Sequence, residues 1–391
     1  MQNRVRVVFA GSEKSWPREV KVKGTHCVLE VKTPGASDQK YFWQEFAARN
    51  RAVLADDIDL TELVSKFCMT PGRIEQTVKR AAATAPLTQE GFYLSKALLE
   101  EQIRIGCAAQ FGEYASRLQS SFTREDLQLS EDSRGLLEDA CNRIRYRSVV
   151  NEDFGFGSKL PYGNGTSIVL YGPPGTGKTM AAQVLANELG LDIYRIDLSQ
   201  IGSKYIGETE KNLGAVFEAA RGSNAILFFD EADAIFTKRT DVSSSNDRYA
   251  NAETAYLLQK IEEYSGVSIL ATNGMQNFDA AFKRRMTFMI VIEQPDEATR
   301  LRLWEHVFPR ETPLEDNVDF GVFARTAQLT GSGIKSAALS AAYRAAAGHR
   351  KVTNEDLIQA VDFEYRRTGR TGIANELYGA MITGGGTGGR K

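Results

Sequence analysis

The chain has 391 residues, of which 42% are hydrophobic and 25% are charged, and its formal net charge is −2. This length allows two or three domains, and the composition is that of an ordinary globular protein. The balanced charge argues against a nucleic-acid-binding or membrane-surface protein. No run of about 18 apolar residues predicts a membrane span, and the first residues lack the apolar stretch of a signal peptide. We therefore expect a cytoplasmic protein.

The cysteines and histidines are scattered along the chain rather than grouped. None of them has the spacing of a zinc site, so we expect reduced, buried thiols and histidines that are surface or packing residues. These residues are Cys27, Cys68, Cys107, Cys141, His26, His306 and His349.

Two segments, about 36–104 and 297–367, share one pattern at a nearly constant offset. Trp43 and Trp304 stand 261 residues apart, and the elements that follow each tryptophan recur at offsets of 260 to 265. We interpret this pattern as a duplicated helical bundle. Two unrelated helical segments with similar caps are the alternative.

Two further features belong to this comparison. A Thr-x-Glu element, at Thr88 in the first copy and at Thr353 in the second, is expected to begin the last helix of each bundle. An apolar run at residues 5–9 is a candidate strand equivalent to residues 267–271.

Residues 109–164 connect the first bundle to the rest of the chain. A helix is expected from about 130 to 147, because Ser130 and the two acidic residues after it form a typical helix start. Glycine-rich turns follow at 154–158 and 163–165. They either approach a bound base or are plain connecting loops.

From residue 167 the pattern alternates between apolar runs and helical stretches. This alternation predicts a parallel sheet with helices on both faces. The expected strands are 168–171, 192–196, 225–229, 267–271 and 289–292, and the expected helices are 178–189, 208–221 and 248–263.

Residues 172–179 match the phosphate-binding loop G-x-x-x-x-G-K-[ST], between an apolar strand and an Ala- and Leu-rich helix. Glycines let backbone N–H groups turn around a polyphosphate, and the helix N-terminus adds partial positive charge. Lys178 is expected to reach the β- and γ-phosphates of ATP, and Thr179 to ligate Mg²⁺. The predicted nucleotide-binding residues are Gly172, Pro173, Pro174, Gly175, Thr176, Gly177, Lys178, Thr179 and Met180.

Two predicted strands end in polar residues. Asp230 and Glu231 follow the apolar run at 225–229, and they are expected at the carboxyl edge of the sheet, beside the phosphate loop. We assign Asp230 to the Mg²⁺ shell and Glu231 to activation of the attacking water. If the strand at 267–271 lies between the other two, Asn273 can hydrogen-bond the water or the γ-phosphate; a turn residue is the alternative.

These motifs resemble those of the AAA+ ATPases over residues 130–367. The resemblance implies a three-layer α/β/α core with a parallel five-stranded sheet in the order 5-1-4-3-2, followed by a C-terminal helical lid. It also implies that Asp230 and Glu231 are the Walker B pair and Asn273 is sensor 1. Members of the family assemble as rings, commonly hexamers, with nucleotide at each subunit interface.

The resemblance also implies that a neighbouring subunit supplies an arginine to the transferred phosphoryl group. Residues 278–285 resemble the family's segment before strand 5, where Arg285 is the best match and Arg284 the second. A solvated basic cluster is the alternative. Arg248 resembles another interface arginine less closely.

The two lid copies differ at one informative position. Lys335 resembles the family's basic sensor-2 residue, which implies contact with the γ-phosphate; a helix-surface charge is the alternative. Glu75 occupies the equivalent place in the first copy, where an acid would repel phosphate. We therefore interpret the N-terminal region as a degenerate AAA-like half-module that does not hydrolyse ATP.

Residues 203–208 resemble the pore loop of AAA+ unfoldases. In a ring, Tyr205 would line a central channel between Lys204 and Ile206 and grip an extended polypeptide. A tyrosine packed under the sheet is the alternative. The whole arrangement resembles bacterial AAA ATPases with a degenerate N-terminal half-module.

Two functions remain open. The first is a ring-forming ATPase that remodels, unfolds or disassembles a protein substrate through a central pore. The second is an ATP-gated assembly or scaffold protein without threading. A nucleic-acid motor is disfavoured, because the sequence has no basic stripe, zinc finger or helix-turn-helix.

The predicted domain organisation has five parts. They are a half-module at 1–108, a linker with a helix at 109–164, the ATPase core at 165–296, the helical lid at 297–367 and a flexible glycine-rich tail at 368–391.

Overall fold

A computed structural model describes the chain in eleven stretches. They are 34–67, 69–88, 91–119, 122–147, 149–159, 165–201, 208–221, 225–234, 245–275, 278 and 280–384. The candidate strand at 5–9 and the predicted pore residues Lys204, Tyr205 and Ile206 lie outside these stretches. Within them, no helix combines the length and the apolar character needed to cross a membrane.

The first part of the chain is a helical bundle with its own apolar core. Trp43 and Ile74 are fully buried in this core, as is Leu94 on a short strand. The elements are α1 (Ala36–Arg49), β1 (Ala52–Leu54), α2 (Leu60–Lys66), α3 (Pro71–Thr84), β2 (Phe92–Leu94) and α4 (Lys96–Phe111). The two strands pair in parallel.

The last helix of this bundle begins later than the sequence suggested. The Thr88 hydroxyl donates a 2.7 Å hydrogen bond to the Gly91 carbonyl in a turn, and the chain then pairs β2 with β1. Helix α4 begins only at Lys96, where the Ser95 hydroxyl accepts a bond from the Leu98 N–H. The prediction of a helix start at Thr88 was therefore wrong, because the side chain caps a turn instead.

The segment after the bundle contributes to the central sheet. It forms β3 (Ala115–Leu118), α5 (Glu131–Arg145), a π-helical turn at Val149–Asp153 and α6 (Phe156–Lys159). The Ser133 hydroxyl at the start of α5 donates a 2.7 Å bond to the Val291 carbonyl at the end of a sheet strand. This segment is thus built into the core rather than only linking two parts.

The central sheet has six strands. The five after β3 are β4 (Thr166–Tyr171), β5 (Ile193–Ile196), β6 (Ile226–Phe229), β7 (Val267–Thr272) and β8 (Phe288–Val291). They lie side by side in the order β3-β5-β6-β7-β4-β8. Numbering β4 to β8 as 1 to 5 gives the expected order 5-1-4-3-2, and all their pairings are parallel. The expected five strands become six because β3 adds an antiparallel edge.

Helices cover both faces of this sheet. Phe228 and Phe229 are adjacent on β6 and fully buried, yet they belong to two different apolar clusters. Strands covered on both faces carry near-continuous apolar runs, which is why these segments were recognisable. The helices are α7 (Lys178–Leu189), α8 (Leu198–Ile201), α9 (Glu208–Arg221), α10 (Ser245–Glu263) and α11 (Ala280–Arg285), with a short 3-10 turn at Ala232–Ala234.

The N-terminal bundle packs against one edge of the sheet. Helix α4 contacts α9 and β3. Phe111 stacks on Tyr194 of β5 with ring centroids 4.2 Å apart. Asp192, just before β5, forms ion pairs with Arg104 of α4 at 3.4 Å and with Arg117 of β3 at 2.8 Å. The first bundle therefore covers the β5 side of the core.

A second bundle follows β8. It contains α12 (Glu297–Val307), α13 (Phe320–Thr326), α14 (Gly331–Ala347), α15 (Asn354–Arg367) and α16 (Ala374–Gly384). Trp304 is fully buried in its core, as Trp43 is in the first bundle. The bridge between Leu314 and Val352 is parallel, as is the pair of Leu54 and Leu94. The bundles share an order of four helices, and their origin by duplication stays a prediction.

Helix α16 corrects the expected tail. The sequence indicated a flexible glycine-rich tail at 368–391. Leu377 is instead fully buried, and Ile373 just before the helix is 6% exposed, both in the core of the second bundle. The final residues 385–391 lie outside the described stretches.

The two cysteines that the structure describes agree with the expected chemistry. Cys107 and Cys141 are buried, and neither thiol is in a disulfide. Burial, followed by the neighbouring Glu188 carboxylate, raises the pKa of Cys141 to about 12. This thiol therefore stays protonated, which disfavours metal binding and nucleophilic reactivity.

Asp356 is expected to make lid stability depend on pH. Its side chain is 5% exposed, pairs with Arg350 and accepts bonds from the Thr353 N–H and hydroxyl at 3.0 and 2.9 Å. The Arg350 hydrogen bonds, the largest cause, lower its pKa to about 2. A depressed folded-state pKa stabilises the fold above pH 4 and loses that contribution as pH falls toward 2.

We therefore expect Asp356→Asn to cost about 1–2 kcal/mol of unfolding free energy at pH 7. The difference from wild type should shrink between pH 4 and pH 2, which urea unfolding can measure. Glu355→Gln removes a carboxylate from the same first turn and controls for the helix dipole. A deficit that is independent of pH would contradict the role of the ion pair.

Candidate functional site

The predicted phosphate loop connects β4 to α7 at the carboxyl edge of the sheet. Gly172 has a φ of +154°, and a Cβ at this residue would lie 2.0 Å from the Ile292 carbonyl oxygen. Only glycine fits so close to the backbone that follows β8. The loop therefore begins in a fixed place between the two strands that flank β4.

The lid contacts this loop directly. The Ser332 N–H at the start of α14 donates a 3.2 Å bond to the Gly175 carbonyl. Gly175 has a φ of +77°, and a Cβ there would lie 2.2 Å from the Ser332 hydroxyl oxygen and 3.0 Å from that of Thr330. The loop is thus in direct contact with the start of α14, by one backbone hydrogen bond and by close packing at Gly175.

Lys178 ties the loop to a neighbouring strand. Its ammonium donates to the carbonyls of Gly172 and Pro173 at 2.8 and 2.9 Å and to the Asn273 Oδ1 at 3.0 Å. Burial lowers the pKa of Lys178, and the negative charges of Asp230 and Asp233 oppose that shift. The ammonium makes these contacts at the place where phosphate oxygens would bring negative charge.

The two acids lie one strand away from Asn273. Because β7 stands between β4 and β6, the end of β7 places Asn273 between the loop and the residues after β6. The Glu231 N–H donates a 3.1 Å bond to the Asp230 Oδ1. Glu231 is exposed and has a φ of +51°, a backbone conformation that is uncommon for non-glycine residues.

Arg195 is a charged neighbour of this site that the sequence analysis did not select. Its guanidinium lies 3.5 Å from the Asp230 Oδ2. Arg195 is the only ionisable group in β5 apart from a buried tyrosine. A charge in an otherwise apolar strand, close to its carboxyl end, was the available signal.

Arg284 and Arg285 lie away from the loop of their own chain. The Arg285 carbonyl accepts a 3.1 Å bond from the Ser167 hydroxyl, near the start of β4, whereas the loop follows the end of that strand. The Arg285 guanidinium pairs with Glu262 of α10 at 2.6 Å, and Arg284 is exposed. A role for either arginine at a nucleotide thus requires a second subunit.

The remaining predicted residues lie in the loop, in α7, in α10 and in α14. Thr176 donates its hydroxyl to the Pro173 carbonyl at 2.9 Å, and Thr179 and Met180 are half-buried in the first turn of α7. Lys335 is exposed on α14, one turn after Ser332. The backbone of Arg248 is in α10, but its side chain lies outside the described part.

The residues present fit a polyphosphate and a magnesium ion. The glycine loop leaves no room for side chains at Gly172 and Gly175, and Lys178 supplies a cation there. No group of three metal-ligating side chains exists among the described residues, so a cation would be completed by phosphate oxygens and water. Mg²⁺ is commonly bound in this way, and Thr179 and Asp230 would be its protein contacts.

Comparison with known proteins gives a family and several relatives. The family described as "ATPase family associated with various cellular activities (AAA)" matches residues 168–295. The proteasome-activating nucleotidase of Saccharolobus solfataricus is 33% identical over 204 residues, which cover 50% of this chain and 52% of that protein. That of Aeropyrum pernix is 34% identical over 203 residues, which cover 50% of each chain.

A third relative is matched over a smaller share of its own length. Protein CdcH of Halobacterium salinarum is 37% identical over 183 residues, which cover 46% of this chain and 24% of that protein. The chain thus spans about half the length of the nucleotidases it matches. All three relatives are archaeal, so the bacterial origin suggested by the sequence stays a prediction.

Proposed function

We propose, from the premise that residues 168–295 are a domain of the AAA family of ATPases, that this protein hydrolyses ATP to drive work on a protein substrate. One observation carries the proposal. The Lys178 ammonium bonds both the phosphate loop and Asn273, so the ends of β4 and β7 meet at one cation. Asp230 and Glu231 stand on the adjoining strand end.

Each residue has a distinct proposed part in hydrolysis. Lys178 exchanges its loop carbonyls for phosphate oxygens, and Asn273 is then free to orient the attacking water. Glu231 accepts a proton from that water, since it is the exposed carboxylate of the pair. Thr179 and Asp230 would hold Mg²⁺, which when bound would neutralise negative charge on the phosphates. Lys335 is proposed to approach the γ-phosphate as the lid closes.

A second subunit is needed to complete the site. Arg285, with Arg284 beside it, lies near the start of β4, at the edge opposite the phosphate loop. A neighbour that supplies this arginine to the transferred phosphoryl group makes a head-to-tail contact, and repetition of that contact forms a ring where the rotation between subunits closes. We propose a homo-oligomeric ring, with six subunits as the expected size, in the cytoplasm.

Remodelling of a protein substrate is the second part of the proposal. The relatives named as proteasome-activating nucleotidases support it, and the sequence around Tyr205 resembles an unfoldase pore loop. Tyr205, with Lys204 and Ile206, would grip an extended polypeptide in the channel of the ring.

Tyr205→Ala separates threading from ATP-gated assembly. We expect ATP hydrolysis to stay within about twofold of wild type and substrate unfolding to fall at least tenfold, about 1.4 kcal/mol or more of lost coupling. The substrate is a fluorescent protein with a long unstructured tail, and its loss of fluorescence measures unfolding. Tyr205→Phe keeps the aromatic ring and should retain activity. Unchanged unfolding by Tyr205→Ala would contradict threading and favour a scaffold.

A further inference from the structure

We propose that Arg195 controls which charged ligands the nucleotide site accepts: it disfavours a free divalent cation and favours the polyphosphate. In the presence of Arg195, the metal ion would therefore bind mainly after ATP or together with it. This inference rests on the proposed ATPase function and adds a residue that the sequence motifs do not include.

The strand geometry places Arg195 on the functional face of the sheet. Alternation along β5 puts Ile193 and Arg195 on one face and Tyr194 and Ile196 on the other. Ile193 belongs to the apolar cluster that also contains the buried residues of α7, the helix that begins at Lys178. Arg195 therefore extends along the α7 side, toward the edge where the strand ends meet.

The contact with Asp230 is electrostatic rather than a rigid clamp. The guanidinium lies 3.5 Å from the Asp230 Oδ2, and the arginine side chain is 50% exposed. The other oxygen of the carboxylate, Oδ1, already accepts the Glu231 N–H at 3.1 Å. Asp230 is therefore oriented by its own backbone neighbour, and Arg195 mainly contributes a positive charge.

That charge has opposite effects on the two components of the ligand. A divalent cation drawn to Asp230 is repelled by Arg195, whereas the anionic phosphates of ATP are attracted to it. Lys178 adds a second positive charge at this edge, and its pKa responds to the charge of Asp230. With both cations in place, Asp230 alone attracts a metal ion weakly, and the phosphates supply the missing negative charge.

Arg195→Gln tests this inference through two binding measurements that do not depend on turnover. The first is Mn²⁺ binding without nucleotide, followed by electron paramagnetic resonance. The second is binding of a fluorescent ATP analogue in EDTA. We expect the Mn²⁺ Kd to fall by about 3–10-fold and the nucleotide Kd in EDTA to rise by about 3–10-fold, as expected for one unit charge at a partly exposed site.

Two control variants separate charge from structure. Arg195→Lys keeps the charge and should keep both dissociation constants near wild type. Arg221→Gln removes an exposed arginine at the end of α9, which precedes the start of β6 and so lies at the opposite edge of the sheet. It should change neither constant. Thermal unfolding of each variant confirms that the fold is intact.

The outcomes distinguish this inference from the function on which it rests. Opposite shifts in Arg195→Gln, absent from both controls, support it. If wild type binds both probes and Arg195→Gln shifts neither, or shifts both in one direction, the role of Arg195 is overturned while the ATPase proposal stands. If wild type binds neither probe, both proposals are wrong.

Discussion

Replacing Lys178 with alanine is expected to weaken ATP binding by at least about 100-fold and to abolish hydrolysis, because a partly buried charged donor is lost from the phosphate site. The ammonium makes three hydrogen bonds, to two loop carbonyls and to the Asn273 side chain. A fluorescent ATP analogue measures the affinity, and phosphate release measures the rate.

A second consequence of this replacement concerns the nucleotide-free protein. Without the ammonium, the Gly172 and Pro173 carbonyls lose a charged donor, so the variant should also unfold at a slightly lower temperature. Lys211→Ala, at an exposed position on α9, controls for loss of a lysine. ATP binding that survives in Lys178→Ala would exclude the loop as the nucleotide site.

Glu231→Gln should separate binding from chemistry. The amide has nearly the size of the carboxylate but accepts no proton, so the hydrolysis rate is expected to fall by roughly 10²–10⁴. The ATP affinity should change less than about threefold, because Glu231 is exposed and only its N–H bonds Asp230. Single-turnover phosphate release and a binding titration give the two quantities.

The arrested variant should also stabilise the assembly. ATP that binds and stays intact keeps the subunit contacts in one state, which size-exclusion chromatography with ATP can detect as a larger species. Glu210→Gln, an exposed acid on α9, is the matched control. A turnover rate close to wild type in Glu231→Gln would remove this residue from the mechanism.

The central sheet was predictable because its strands are covered on both faces. β7 is buried at all six positions, and its apolar run stands out against the polar helices beside it. Helix α7 was equally clear, since the glycine loop fixes its start and Gly190 ends it in a left-handed conformation. In β7 and α7, the local sequence pattern and the packing in the core favour the same secondary structure.

Three elements were missed or misplaced for different physical reasons. Strand β3 is short and half-polar, and only pairing with β5 makes it a strand. Helix α16 stands beside a glycine-rich end, yet the second bundle offers a place for Leu377. Helix α4 begins at Lys96 because the hydroxyl of Thr88 bonds in a turn. A tertiary contact decided the outcome for β3 and α16, and a local turn decided it for α4.

The candidate site also has a part that the local sequence predicts and a part that only the fold determines. The phosphate loop and the two acids after β6 were predictable from the sequence, because their residue types indicate the chemistry directly. The contact between Gly175 and Ser332 and the pair of Arg195 and Asp230 join residues far apart in sequence. No local pattern reports such contacts, because the fold alone brings these residues together.

The antiparallel edge strand also has a consequence for the order of folding during synthesis. Ala115 of β3 pairs with Ile196 of β5, which comes much later in the chain. β3 therefore leaves the ribosome well before its partner strand. The first bundle, whose core runs from Trp43 to Cys107, can collapse by contacts close in sequence while that partner is still being made. Until then β3 is an unpaired edge, and the charge of Arg117 at its centre protects it from pairing with another chain. Arg117 thus opposes aggregation of the nascent chain first, and forms its ion pair with Asp192 later.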